Sequence, residues 1–158
     1  MRETDWIVEQ MRAAFEGGAW HGPAVLEVLR DVDPLMADAK PIAEAHSIWE
    51  LVVHLSLTQA VLLRRIRGED AGLDVADFWG PVPDATDENW AADLDRLTRQ
   101  ERELRAAVAA FPDDRLGEKL MPSGTSPAYA NFHGHIQHNV YHAGQIALLK
   151  KAYKPIPY

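Results

Sequence analysis

The sequence contains no cysteine, which excludes disulfides, thiolate zinc sites and a cysteine nucleophile supplied by the chain itself. Any metal must be held by imidazole or oxygen, and any reactive sulfur must come from outside. Long hydrophobic runs are missing too. No window approaches the roughly 18 apolar residues of a membrane span, and the opening MRETDWIVEQ has charges where a signal peptide carries its apolar centre. A cytoplasmic protein with no membrane partner is expected. Alternating Val/Ile/Thr runs are absent, while Leu, Ala, Glu and Arg are abundant, which favours an all-α domain over a sheet. Positive charge is scarce: 16 Lys plus Arg stand against 24 Asp plus Glu, for a net charge of −8. A surface of that sign repels phosphate backbones and speaks against nucleic acid as a partner. The local exception, Arg64, Arg65 and Arg67, lies at the end of an expected helix, where cations meet the negative end of the dipole, and reads as a cap.

The 158 residues suffice for one domain, 1–158, with its own core. Trp6, Ile7, Met11, Ala14 and Phe15 recur at helical spacing over residues 3 to 16, until Gly17-Gly18 release the backbone. Pro23 opens a short helix that ends before Asp33-Pro34. Residues 33 to 45, with Pro34 and Pro41, read as a connecting segment. Ser47 and Glu50 then form a capping box for a helix over 47 to 67, so apolar that other helices must surround it. A loop over 68 to 85 carries Phe78-Trp79. A charge-rich helix follows over 88 to 111, and a last one runs from Pro127 to about Tyr153. Four long helices predict a four-helix bundle, whose functional sites are built from side chains pointing inward.

The histidines supply the chemistry. Of the seven in the chain, three fall in HIQHNVYH, residues 135 to 142. On a helical projection His135, His138 and His142 share, with Asn131 and Gln145, one stripe about 80° wide. Phe132, Ile136, Val140, Ala143 and Ala147 occupy the other side of this helix and also want cover, which suggests self-association. His138 and His142, one turn apart, can both reach one divalent cation, and His54, alone in the apolar run of the preceding inner helix, is the candidate third ligand. Buried without a partner, a ring nitrogen costs about 1 to 3 kcal/mol, which ligation would relieve. The alternative is a set of core-polar or surface histidines. Three imidazoles would leave a position open for water or substrate on zinc, nickel or a similar ion. HNVYH lacks the glutamate that follows the first histidine in helical zinc peptidases, so that class drops out.

Around this set, Glu50 reads either as the capping partner of Ser47 or as a group that orients an imidazole or acts as a base. His135 reads as a fourth ligand or as support for the others, and Gln145 as another supporting group. His21, His46 and His133, near helix starts or loops, receive no function. Trp20, Trp49, Trp79 and Tyr141 are expected in the core or in a pocket wall.

AHSIWELVVHL at 45 to 55, together with HIQHNVYHAGQIALLKK at 135 to 151, resembles the DinB/YfiT-like superfamily, and AFEGGAWHGPAVLEVL at 14 to 29 is similar to that family's first helical region. The resemblance implies a four-helix bundle, commonly a homodimer, with nickel, zinc or a related divalent ion held by three histidines, which match His54, His138 and His142 here. Some members transfer low-molecular-weight thiols such as bacillithiol or mycothiol, one is a mycothiol-dependent isomerase, and others are classed as metal-dependent hydrolases. The expected function is therefore activation of an external thiol for transfer to an electrophilic small molecule. Hydrolysis by metal-bound water is the alternative, and a non-catalytic metal or small-ligand binding module is the rival from another class.

Overall fold

A computed structural model describes residues 1–72 and 78–154. The described residues form six α-helices and no strand: α1 (Glu3–Phe15), α2 (Val25–Leu29), α3 (Pro34–Asp38), α4 (Ile48–Ile66), α5 (Asp87–Ala109) and α6 (Ala128–Ala152), with a 3-10 turn at Asp113–Arg115. The four long helices make a bundle in which α4 packs on α5, α5 on α1, α1 on α6 and α6 on α4. Both short helices brace it, α2 against α6 and α3 against α4.

Residues 33 to 45 are not wholly a connection, because α3 lies within them. Pro34 takes the first helical position, where its missing N–H costs nothing, and the Asp33 carboxylate accepts the backbone N–H of Met36. The start of α4 is as expected. Ser47 Oγ accepts the N–H of Glu50 while Glu50 Oε2 accepts the N–H of Ser47.

Trp49 Nε1 donates to Asp93 Oδ2 at 2.7 Å, and ten residues later in α4 Gln59 Nε2 donates to Glu101 Oε2 at 2.9 Å. Both partners advance along the chain together, so α4 and α5 run parallel. Their connection must therefore travel back the length of the bundle, which explains why it is long. Gly80 lets it lie against α4: a Cβ there would stand 3.0 Å from Val53 Cγ1 and 3.3 Å from Leu57 Cδ1.

The core falls into two apolar clusters. One gathers Phe15, Trp49, Leu51, Leu55, Trp90, Leu97 and Ile146; the other Ile7, Met11, Leu62, Leu104, Val108 and Phe132. Most of the apolar back of α6 is covered within the chain: Ala143 belongs to the first cluster, Ala147 packs against it, Phe132 belongs to the second and Ile136 packs against that one, while Val140 is half-buried outside both. Trp20, expected in the core or a pocket wall, is instead fully exposed in the loop after Gly17-Gly18, and Tyr141 is largely exposed on α6. The sequence lacks the means to separate these two from Trp49, because aromatic type alone does not say which side of an element faces the core. No helix among the described residues is long and apolar enough to cross a membrane.

Candidate metal centre

His54 lies near the middle of α4, and His138 and His142 lie one turn apart on α6. The packing of α6 on α4 brings the three rings together. His54 and His142 each place Nε2 at 2.9 Å from His138 Nε2, and one ligand nitrogen from each residue falls within 4.8 Å of the others. His54 and His142 are buried and His138 is half-buried.

The outer ring nitrogens fix the protons. His54 Nδ1 lies 2.8 Å from the backbone oxygen of Phe78, and His142 Nδ1 lies 2.6 Å from Gln145 Oε1. Gln145 presents that oxygen because its Nε2 donates to Tyr141 Oη. Both oxygens only accept, so each Nδ1 carries the hydrogen and each Nε2 points inward as a lone pair. Burial pushes all three imidazoles toward the neutral form: His54 is lowered, His142 is lowered to about 4, and His138, with the added repulsion of His142 and His54, to about 3. A proton on His138 Nε2 can serve only one of the two contacts, to His54 or to His142. The other contact then has no hydrogen to share between its nitrogens at 2.9 Å. A cation relieves that contact, and three neutral imidazoles are a donor set that could hold zinc, nickel or a similar ion.

Cover comes from the long connection. Trp79 stacks on His54 with ring centroids 4.4 Å apart and planes at 15°, and on His46 at 3.4 Å and 9°. His46, given no role from sequence, is thereby part of the wall. The carboxylate of Glu50 is taken by Ser47 N, Lys40 Nζ and His46 Nδ1, so Glu50 serves the cap and reaches the trio only through His46 and Trp79.

His135 does not join the trio. Its Nε2 lies 2.8 Å from Glu101 Oε2, the oxygen that also accepts Gln59 Nε2, and Asn139 Nδ2 approaches the same ring nitrogen at 3.1 Å. Glu101 is completely buried. A glutamate in a charge-rich helix gives little sign of this on its own, but the phase does: Glu101 falls between Leu97 and Leu104, on the stripe that also carries Trp90 and Val108.

A cleft of about 370 Å³ opens from His54 and His138 between α4 and α6, with Phe78, His135, Asn131 and Arg65 among its lining. Its size is that of small-molecule sites.

Neither a curated protein nor a solved structure matches the chain. A family model described as the DinB superfamily matches residues 19–146, a stretch that contains the three clustered histidines and most of the bundle. The chain belongs to the DinB superfamily.

Proposed function

We propose that the protein is a metal-dependent enzyme acting on small molecules, in which His54, His138 and His142 hold one divalent ion, zinc or nickel, through their Nε2 atoms. The observation that carries the reading is the pair of 2.9 Å nitrogen contacts among neutral rings whose outer nitrogens are already committed to oxygen acceptors. When bound, the ion supplies Lewis acidity, lowering the pKa of a water or thiol that reaches its open side. The chain's own groups do the rest. Phe78 and Gln145 orient two of the rings, Trp79 keeps water off the back of His54, and the adjoining cleft receives the substrate. With no cysteine in the chain, a sulfur nucleophile would be an external low-molecular-weight thiol, and transfer of that thiol to an electrophilic compound is the leading reaction.

Elemental analysis of wild type beside His54→Ala and His138→Ala tests the site, with about one ion per chain expected in wild type and none in either variant. Metal-loaded protein is then offered glutathione, bacillithiol or mycothiol with monochlorobimane. Absence of metal-dependent conjugation with every thiol would remove the transferase reading.

One observation favours hydrolysis as a second reading. His135 is among the residues that line the same cleft, and with its Nε2 donating to Glu101 its Nδ1 is an unprotonated nitrogen that can serve as a base toward a water. Turnover of an ester or amide panel that stops on chelation and needs no thiol would select this alternative.

A further inference from the structure

The cleft beside the three imidazoles is long, and its two ends differ in chemistry. Along α4 its wall is made by His54, Thr58, Val61 and Arg65, spaced so that one helical face supplies them all. Arg65 stands eleven positions beyond His54, about 16 Å along the axis. The opposite wall comes from α6, with His138 facing His54 and Asn131 toward the Arg65 end, because the two helices run antiparallel here. Next to the Arg65 end, Val61 and Leu62 on α4 and Ala130 on α6 make an apolar stretch.

Arg65 is more than the cap that its place in the last turn of α4 suggests. Its Nε donates to the backbone oxygen of Ala71 at 2.7 Å, which fixes the guanidinium, and its two terminal nitrogens meet no hydrogen-bond partner among the described residues. Among the described residues that line the cleft it is the one permanent charge, and none of them is a carboxylate. On a chain of net charge −8, a cation lining a cleft that holds no carboxylate among its described residues is suited to an anionic group.

We propose that this cleft binds an elongated organic anion, its carboxylate, sulfonate or phosphate group on Arg65 and its far end at the three imidazoles. The apolar stretch beside Arg65 accepts a hydrocarbon or aromatic body. The proposal draws on the metal reading only for which end reacts; the anion site itself rests on Arg65 and the cleft.

Two fluorescent probes of nearly the same shape test it: 8-anilino-1-naphthalenesulfonate and its neutral counterpart N-phenyl-1-naphthylamine. Each is titrated into wild type, Arg65→Gln, Arg65→Lys and Ala130→Trp, the last filling the apolar stretch of the cleft from an exposed position. The sulfonate should bind wild type about tenfold or more tightly than the neutral probe, as a charge-assisted contact implies. Arg65→Gln should abolish that preference, Arg65→Lys should keep part of it, and Ala130→Trp should weaken both probes. A preference that persists in Arg65→Gln, equal affinities for the two probes in wild type, or unchanged binding in Ala130→Trp would overturn the proposal. Elemental analysis of the same samples separates the two claims, since metal-free wild type that still prefers the sulfonate would remove the metal reading and leave the anion site standing.

Discussion

Glu101 of α5 and His135 of α6 meet in the middle of the bundle, Oε2 to Nε2 at 2.8 Å, with Gln59 of α4 donating to the same carboxylate oxygen. Three of the four long helices are thereby tied at one buried polar point. Glu101→Ala leaves two buried donors without an acceptor, at about 1 to 3 kcal/mol each. For a domain of this size the melting temperature should fall by about 5 °C or more. Metal content should stay near that of wild type, since Glu101 touches none of the three clustered imidazoles. Thermal unfolding followed by circular dichroism, with elemental analysis beside it, checks both halves.

The acceptor on His142 is a separable part of the site. Gln145→Leu keeps the approximate volume but removes the oxygen that holds Nδ1. Loss of such an orienting group weakens metal binding by about 10- to 100-fold. Competition with a chromophoric chelator should show that loss with the fold unchanged, and an unaltered affinity would mean that the ring is held by packing alone.

Gly80 tests the cover over His54. A Gly80→Val side chain would meet Val53 and Leu57 and lift the connection from α4, carrying Phe78 and Trp79 with it. Weaker metal binding and increased quenching of tryptophan fluorescence by acrylamide are expected together. Retention of both wild-type values would show that the connection settles on α4 in another way.

Acid should loosen the metal-free protein through its imidazoles. In the unfolded chain they bind protons around pH 6.5, whereas in the fold His142 does so at about 4 and His138 at about 3. Between those limits the unfolded state holds more protons, so stability rises with pH and is lost as pH falls below about 6.5. Above that value both states are neutral and the contribution is flat. Urea unfolding in the presence of a chelator at pH 7.5, 6.5, 5.5 and 4.5 should show the decline. The double variant His138→Ala, His142→Ala should show a shallower one.

Much of the architecture is legible in the sequence because its signals are local. Ser47 and Glu50 cap α4 through neighbouring backbone groups, and His138 and His142 share a face by spacing alone. The histidine on α4 could be nominated because an imidazole amid Leu51, Val52, Val53 and Leu55 needs a partner. What was hidden depends on long-range contact. The stacking of Trp79 on His54 and His46 requires the path of the connection, and nothing in residues 78 to 80 states that path. Trp20 and Trp49 are the same residue type, yet one lies in solvent and the other in the core, a difference set by tertiary placement. Glu101 lay between the two cases, its charge concealing a burial that the phase of Leu97 and Leu104 could reveal.

The parallel course of α4 and α5 has a consequence for how this protein can be altered. A tight turn joins antiparallel helices, so cutting the connection to a few residues would oblige α5 to reverse its direction and would part Trp49 from Asp93 and Gln59 from Glu101. The segment that shelters His54 is also the return path that the topology demands. Deletion cannot strip the cover while sparing the scaffold, whereas substitutions at Phe78, Trp79 and Gly80 can reshape the entrance with every helix left where it is.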